Sequence, residues 1–367
     1  MNATDISFPN LGIYLKNVPD GFYIGNFKIA LYGIIFAIGV LGGLMVSSKV
    51  AKEYKQDENT YWDFIIKAII FSLIGARIYY IIFSWDIFFK DVFVNEGFGK
   101  GLLNLINLRN GGIAIYGAVI AAFIFLFIYC KIKKINPFII GDAAMPGLIL
   151  GQAIGRWGNF FNREVFGEYT NSFFAMRLPV DGKFVRTMDI SATQLEKMSA
   201  EGVNYIQAHP TFLYESVCNL LVFALLMFIR KRKKFHGELC LLYFGGYGIA
   251  RLIIEGIRTD QLKIGNTNIP VSQVVAIVLI LIAVVGEVAC RIMLQKGTLP
   301  GMFCYEAETS EETKETTTTK ETEEENIEEE NIEEENIETK EDNIEKAEEE
   351  TVEKPMKETA KKNCRRN

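Results

Sequence analysis

The chain has 367 residues, 49% of them hydrophobic, and a formal net charge of −6. The charge is unevenly divided: residues 306–367 hold 24 acidic and 10 basic side chains, which leaves 21 acidic and 29 basic side chains in residues 1–305. This division excludes a soluble acidic globule and indicates a basic, very apolar membrane protein with a polar, acidic C-terminal tail.

Histidine and cysteine usage excludes two further kinds of site. Only His209 and His236 are present, which is too few for a multi-histidine metal centre. None of the six cysteines has a partner at ligand-like spacing, and their positions define no disulfide framework. The sequence therefore predicts no metal site.

In chain order, residues 1–28 lack a cleavable signal and predict an extracytoplasmic interfacial segment. Seven long apolar runs follow, each close to the ~20 residues that a helix needs to cross a bilayer. They cover roughly 29–48, 64–84, 111–130, 138–156, 211–229, 238–257 and 271–290. The predicted fold is an all-α polytopic membrane protein in which residues 29–300 form a domain of seven transmembrane helices.

Lysines and arginines at the ends of these runs predict the orientation of the chain. Thirteen follow the first, third, fifth and seventh runs, whereas seven lie at the opposite ends. Cytoplasmic loops carry the excess of basic residues. The N-terminus is therefore predicted outside and the tail in the cytoplasm.

Polar side chains inside the spans are functional candidates because they are costly in hydrocarbon. Tyr32 lies about one turn into the first span, and Arg77 lies in the second. Arg77 either has a direct role in a site or supports a neighbouring residue, and the second interpretation is favoured. Asp142 in the fourth span and Glu215 in the fifth are expected to pair with partners inside the protein.

The sixth run places five polar residues on one helical stripe, Tyr243, Tyr247, Arg251, Glu255 and Arg258. One interpretation of Arg251 and Glu255 is a local i,i+4 ion pair with no further role. Inside a bilayer, two charges on the same stripe as two tyrosines favour residues that line a polar cavity.

Residues 158–210 leave the membrane and predict a small extracytoplasmic head. Residues 173–188, with a turn at Asp181-Gly182, predict a β-hairpin. Ser191 is predicted to cap a short amphipathic helix that runs to about Ala200. A structural lid is the simplest role for this head.

The tail, residues 306–367, contains a Glu-Glu-Glu-Asn-Ile unit three times in succession up to Ile337. A five-residue period matches no helix face, and the charge opposes collapse. The prediction is a solvated, disordered cytoplasmic tail, with a partner-binding tail as the alternative.

The most informative stretch follows the fourth run. Glycines at 147, 151 and 155 predict close approach of a neighbouring helix. If the helix continues, Arg156, Asn159 and Arg163 share one face. Two cations and amide donors at the end of a membrane helix predict a phosphate-holding site. The alternative is that these arginines only anchor the helix end among lipid headgroups.

The stretch 155–167 reads G-R-x-G-N-F-x-N-x-E-x-x-G and resembles the signature of the bacterial prolipoprotein diacylglyceryl transferases, with every fixed position filled. The resemblance covers most of residues 1–300 but not the tail. It also includes Tyr32, Gly75-Ala76-Arg77, Arg109-Asn110-Gly111-Gly112, His209-Pro210, Tyr214-Glu215, and Arg251 with Glu255.

This resemblance implies a multi-pass transferase of the bacterial cytoplasmic membrane that acts in lipoprotein biosynthesis. It implies transfer of the diacylglyceryl group of phosphatidylglycerol to the lipobox cysteine thiol of a prolipoprotein signal sequence, with release of glycerol phosphate. The implied partners are these two substrates and the lipid bilayer, with no nucleic acid. No cofactor is called for.

The residue types suit that chemistry. The leaving group is a phosphate ester, and an arginine fork can grip two of its oxygens. Arg156 and Arg251 are the candidate holders, with further hydrogen bonds from Asn159 and Asn162. Nearby cations also lower the pKa of a thiol, so the arginines can help to ionise the nucleophile.

Other residues are expected to support this pair. Glu164 and Glu255 are expected to hold the arginines, and the resemblance adds Tyr32 and Gly167 to the phosphatidylglycerol site. It also implies supporting roles for four further residues, Arg77, His209, Tyr214 and Glu215.

One position departs from the family pattern, because many members carry a histidine where this chain has Tyr116. That histidine is often regarded as the base for the thiol. A phenol is a weaker acid than a thiol, so Tyr116 is expected to act mainly as a hydrogen-bond donor. His209, directly before Pro210, is expected to pack the head onto a span.

The competing class is a non-enzymatic seven-span protein, such as a transporter or a lipid-binding receptor. Transporters tend to show internal repeats and polar sites near the midplane. This chain has no internal repeat, and its polar residues cluster toward the outer ends of the spans. Transfer of label from phosphatidylglycerol to a lipobox peptide would distinguish the two classes.

Overall fold

The computed structural model describes residues 2, 4–85, 97, 99, 112–187, 190–265 and 267–304. The segment Arg109–Gly111 and the tail 306–367 lie outside the described residues, so the predictions for them stay predictions. Within the described ranges there are seven long helices, α1 (Leu31–Glu53), α2 (Glu58–Phe83), α3 (Ile115–Lys133), α4 (Pro137–Asn162), α6 (Thr211–Ile229), α7 (Glu238–Glu255) and α8 (Val271–Gln295). A short helix, α5 (Ala192–Glu201), precedes α6.

The helices agree with the predicted apolar runs, and the protein is a polytopic helical membrane protein. Six of the seven are long and apolar enough to cross a membrane. The exception is α7, which carries Glu238, Arg251 and Glu255 within its 18 residues. Helix α2 begins six residues before the predicted run because Asp57 caps it, accepting a hydrogen bond from the Asn59 backbone N–H.

Glycines set the distance between α1 and α4. A Cβ on Gly147 would lie 2.1 Å from the carbonyl oxygen of Gly43, and one on Gly151 would lie 3.0 Å from that of Gly39. Two members of the predicted glycine stripe therefore allow the helix backbones to touch. Gly155 faces open space, so for this residue the prediction was wrong.

The head is built on a four-stranded antiparallel sheet in the order β2-β1-β5-β6. Its strands are β1 (Ile6–Phe8), β2 (Ile13–Leu15), β5 (Met176–Pro179) and β6 (Tyr205–Ala208). Strand β1 pairs with β5 at Ser7 and Arg177. Residues 6–15 thus form part of the head sheet, a pairing that the prediction for residues 1–28 did not contain. A separate hairpin of β3 (Gly21–Ile24) and β4 (Phe27–Ala30) leads into α1.

The predicted hairpin over residues 173–188 was wrong. Strand β5 pairs with β1 and β6, and no strand follows it within the described part of residues 180–190. The turn itself forms, because the Asp181 carboxylate accepts the backbone N–H groups of Lys183 and Phe184. Helix α5 is confirmed, with Ser191 at its N-cap and Gln194 completing a capping box.

The opposite end of the bundle is closed by a buried ion pair. Lys233 Nζ lies 3.0 Å from Asp142 Oδ2, and both side chains are fully buried. Asp142 also accepts the backbone N–H groups of Gly237, Leu239 and Cys240 at the start of α7. The prediction that Asp142 pairs internally is confirmed, and its charge suits the positive end of a helix dipole.

Candidate functional site

Glu215 lies at the centre of a cluster of three arginines. Its Oε2 atom is 2.5 Å from Arg156 Nε, and its Oε1 atom is 2.9 Å from Arg251 Nη1 and 3.7 Å from Arg258 Nη1. The Glu215 side chain is 5% exposed, and the three arginine side chains are between 10% and 21% exposed. The expectation that Glu215 pairs with a cation is confirmed, and it pairs with more than one.

Three helices bring these residues to the same end of the bundle. Arg156 lies near the C-terminal end of α4, Glu215 in the first turns of α6, and Arg251 near the C-terminal end of α7. Neighbouring helices run in opposite directions, so an N-terminal turn of α6 meets C-terminal turns of α4 and α7. The Arg251 guanidinium also donates to the Ser272 hydroxyl of α8 at 3.3 Å.

A second carboxylate, that of Glu255, holds two of these arginines. Glu255 Oε2 lies 2.7 Å from Arg251 Nη2, at the predicted i,i+4 spacing, and 3.9 Å from Arg258 Nε. The Glu255 side chain is only 2% exposed. The pair is therefore part of a network between helices and not an isolated local contact.

Arg258 belongs to this cluster although the sequence prediction placed it only on the α7 stripe. It follows the end of α7, and Asp260 accepts two hydrogen bonds from its guanidinium at 2.9 and 2.7 Å. The signal was present in the sequence, because Arg258 continues the stripe three residues after Glu255.

The asparagines connect Arg156 to Glu164. The Arg156 guanidinium donates to Asn159 Oδ1 at 3.4 Å, and the Asn159 amide donates to Glu164 Oε1 at 2.8 Å. The Asn162 amide donates to the same carboxylate oxygen at 3.3 Å. Glu164 therefore orients the two asparagines and reaches Arg156 through Asn159, not by direct pairing.

Arg163 does not share the face of Arg156 and Asn159, so that prediction was wrong. Helix α4 ends at Asn162, and Arg163 is its C-cap in the left-handed conformation, with φ of +53°. The side chain is 1% exposed and donates to the carbonyl oxygens of Phe161, Thr4 and Val18. Arg163 therefore joins the N-terminal segment, at Thr4 and Val18, to the C-terminal end of α4.

Gly167 and His209 lie where three chain segments cross. A Cβ on Gly167 would lie 2.7 Å from the Ile257 carbonyl oxygen and 2.9 Å from His209 Cβ. Gly167 therefore permits a close backbone crossing. His209 Nδ1 lies 3.3 Å from the Tyr214 hydroxyl, and burial lowers the pKa of His209. These contacts agree with the expected packing of the head against a span.

Tyr32 packs against α4, and Arg77 contacts the segment that precedes α3. A Cβ on Gly158 would lie 2.6 Å from the Tyr32 ring, so the ring packs directly against the backbone of α4 at Gly158. The Arg77 guanidinium donates to the Gly112 carbonyl at 2.9 Å, which agrees with support of a neighbouring segment.

Tyr116 lies in the first turn of α3, half-buried, beside a close contact between α2 and α3. There, a Cβ on Gly117 would lie 2.5 Å from the carbonyl oxygen of Gly75. Among the described residues, no hydrogen bond joins Tyr116 to the arginine cluster.

A second polar layer lies one turn below the cluster. Gln152, four residues before Arg156, donates to the Tyr243 hydroxyl at 2.9 Å. The rings of Tyr243 and Tyr247 stack in parallel, with centroids 5.7 Å apart. The tyrosines of the predicted stripe thus extend the polar site from Arg251 into the bundle.

Comparison with known proteins identifies similarity over most of the helical body. A family model described as prolipoprotein diacylglyceryl transferase matches residues 19–289. A protein of Finegoldia magna, named phosphatidylglycerol–prolipoprotein diacylglyceryl transferase, is 39% identical over 277 residues, which are 75% of this chain and 97% of that protein. Proteins of the same name from Staphylococcus aureus strain MRSA252 and Staphylococcus haemolyticus are 40% and 38% identical, over 72% and 76% of this chain and 86% and 89% of those proteins.

Proposed function

The chain belongs to the prolipoprotein diacylglyceryl transferase family, and we propose that the cluster around Glu215 holds the phosphate of its lipid substrate. The protein is a membrane transferase that moves the diacylglyceryl group of phosphatidylglycerol to prolipoproteins, the first step of lipoprotein maturation. No observation favours a non-enzymatic transporter or receptor.

The guanidinium groups of the cluster support this role. Arg156, Arg251 and Arg258 converge on the two buried carboxylates of Glu215 and Glu255. Arg258 also pairs with Asp260, so three carboxylates balance the formal charges of the three arginines. An arginine fork can grip two phosphate oxygens through its N–H groups, so a phosphodiester can bind Arg156 and Arg251 beside Glu215.

The proposed acceptor is the thiol of the lipobox cysteine. Its sulfur forms a bond to the terminal glycerol carbon of the diacylglyceryl group as the bond from that carbon to the phosphate oxygen breaks. The bonding electrons leave with glycerol phosphate, which gains one negative charge, and the thiol proton that balances this charge passes to the released phosphate or to water. Arg156 and Arg251 stabilise the charge on the departing phosphate, while Asn159 and Asn162, oriented by Glu164, supply amide donors.

The proposal is tested with purified protein in vesicles that contain phosphatidylglycerol labelled in its acyl chains. A peptide with a lipobox cysteine is expected to acquire the label and to release glycerol phosphate in equal amount. A matched peptide with serine in place of the cysteine is the control. Label on the serine peptide, or none on the cysteine peptide, would contradict the proposed acceptor.

Tyr116 is proposed to donate a hydrogen bond to the phosphate or to the thiolate. Loss of one charge-assisted hydrogen bond costs about 1.5–3 kcal/mol, so Tyr116→Phe is expected to slow transfer by roughly ten- to a hundredfold. Tyr116→His is expected to retain substantial activity, because an imidazole can donate the same bond. Transfer to the lipobox peptide between pH 6 and 9 measures both variants. If Tyr116→Phe is inactive at normal protein level, Tyr116 is an obligatory proton carrier instead.

We also propose that the end of the bundle with the arginine cluster faces the outside of the cell. The basic flanks after α1, α3, α6 and α8 support this orientation. A reporter fused after Cys304 is expected to be active only in the cytoplasm, and one inserted at Gly182 only outside. The reverse pattern would place the cluster on the cytoplasmic side.

The acidic tail is proposed to be dispensable for transfer. Its composition predicts disorder, and the proposed orientation puts it across the membrane from the arginine cluster. Deletion of residues 306–367 is expected to leave the transfer rate in membranes nearly unchanged at equal protein level. A tenfold loss would assign the tail a direct part in the reaction.

A further inference from the structure

The hairpin of β3 and β4, residues Gly21–Ala30, has one apolar face. Its register pairs Phe22 with Ile29 and Ile24 with Phe27, and directly paired residues lie on the same side of an antiparallel ribbon. The other side carries Tyr23 opposite Lys28, and Gly21 opposite Ala30. Four large apolar side chains thus lie on one side, and the polar pair lies on the other.

The turn and the base of the hairpin fix its shape. The strands are joined by the two residues Gly25 and Asn26, with Gly25 at φ of +59°, a conformation that a glycine adopts without strain. At the base, a Cβ on Gly21 would lie 2.4 Å from the Ile29 carbonyl oxygen, so the strands approach as closely as glycine allows. The hairpin is therefore a defined ribbon.

The apolar face is exposed to a degree that is unusual for a surface in water. Phe22 is 46% exposed, Ile24 is 63% exposed and Phe27 is 57% exposed. Soluble proteins rarely leave large apolar side chains next to one another in this way, and contiguous patches usually mark a contact with a partner or a membrane.

The attachment of the hairpin to the start of α1 indicates what its apolar face contacts. Ala30, the last residue of β4, is the N-cap of α1, and the Leu31 backbone N–H donates to the Asp20 carbonyl at 3.0 Å. Lys28 forms an ion pair with Asp20. A four-residue strand spans roughly 13 Å, so every residue of the hairpin lies close to the point where α1 begins.

We propose that the hairpin is embedded in the bilayer interface, with Phe22, Ile24, Phe27 and Ile29 facing lipid acyl chains. Helix α1, which follows the hairpin directly, also exposes large apolar side chains, with Phe36 55% exposed and Leu41 54% exposed. Tyr23 and Lys28, on the other side, lie at the level of the lipid headgroups, where an amphipathic ring and a cation are both stable. This inference rests on the insertion of α1 in the membrane and is independent of the phosphate site.

The anchored hairpin also sets the depth in the bilayer of Tyr32, which is a residue of the candidate site. Tyr32 lies two residues after the end of β4, and its ring packs on Gly158 near the C-terminal end of α4. A hairpin held in the interface therefore keeps the start of α1, and the Tyr32 ring with it, at a fixed depth.

Photochemical labelling tests the inference in the full-length protein. p-Benzoylphenylalanine is placed at Phe22, at the neighbouring Tyr23 on the opposite side, or at Phe36 on α1 as a lipid-facing reference. Each protein is irradiated in vesicles of phosphatidylglycerol and phosphatidylcholine, with and without a lipobox peptide. Mass spectrometry then identifies the adducts and the carbon atoms that are labelled.

The expected result is an acyl-chain adduct at position 22 with a yield close to that at position 36 and several-fold above that at position 23. Reaction at position 23 is expected mainly on headgroup and glycerol atoms. Absence of lipid adducts at position 22 while position 36 reacts would overturn the proposal. Adducts with the lipobox peptide in place of lipid at position 22 would also overturn it, because the face would then be a peptide-binding surface.

Discussion

Replacement of Arg251 or Arg156 with Ala is expected to reduce transfer from phosphatidylglycerol to a lipobox peptide by about a thousandfold or more. Removal of one preorganised donor to a developing negative charge costs about a hundred- to a thousandfold in rate, and each arginine offers several donors. Both side chains are held by Glu215, at 2.9 and 2.5 Å, so their guanidinium planes are oriented before the substrate binds. Loss of either leaves the departing phosphate without part of its neutralisation.

Lysine at either position is expected to restore little activity. An ammonium group is a point charge and cannot grip a carboxylate and a phosphate with one planar fork. Near-normal turnover of the Arg156→Lys/Arg251→Lys double variant would mean that the arginines supply only charge or anchoring.

Arg230→Ala is the matched control for these variants. Arg230 also forms a two-point ion pair, with Glu53 at 2.8 and 3.1 Å, but at the opposite end of the bundle. Its side chain is 17% exposed, which is similar to the exposure of Arg251 and Arg156. Loss of Arg230 is expected to leave the transfer rate of the folded protein nearly unchanged, so a general loss of stability can be separated from loss of the phosphate site.

Glu215→Ala is expected to destabilise the protein and to abolish most of its activity. Removal of one partner from a buried ion pair costs about 3–5 kcal/mol, because the remaining charge is left uncompensated. Here one carboxylate, 5% exposed, faces three arginines. Without it, Arg156, Arg251 and Arg258 repel one another and lose their orientation.

Thermal unfolding in detergent and transfer of label to the lipobox peptide measure the two effects of Glu215→Ala. Glu53→Ala is the control, since Glu53 is 21% exposed and pairs with Arg230 alone among the described residues. It is expected to lower the free energy of unfolding by about 1 kcal/mol or less. Wild-type unfolding and turnover in Glu215→Ala would mean that Glu215 neither stabilises the protein nor orients the arginines.

Much of this cluster was predictable because its residues are related by local spacing. Arg251 and Glu255 are one helical turn apart, and Arg156 and Asn159 lie within one turn of α4. The sequence also indicated that Glu215 needs a cation. Its position between three helices could not be read from the sequence, because spacing within one helix does not say which helix packs beside it.

The errors arose where a local pattern was extended past its end or where the partner is distant in sequence. The spacing predicts Arg163 on the face of Arg156, but the helix ends at Asn162. The left-handed C-cap turns the Arg163 side chain toward Thr4 and Val18 instead. The predicted hairpin after Phe173 failed for the second reason. Its strand pairs with residues about 170 positions earlier, as Ser7 with Arg177 shows, and no short-range turn signal reveals such a pairing.

The most direct test of the central claim is the affinity of the purified protein for phosphatidylglycerol and for a diacylglycerol with the same acyl chains. The arginine cluster is proposed to hold the phosphate, which only the first of these lipids has. Wild-type protein is expected to prefer phosphatidylglycerol by at least about tenfold, since each charge-assisted hydrogen bond contributes roughly 1.5–3 kcal/mol. In the folded Arg156→Ala/Arg251→Ala variant that preference is expected to disappear while the affinity for diacylglycerol is unchanged. A double variant that keeps the wild-type preference would contradict the assignment of the phosphate to this cluster.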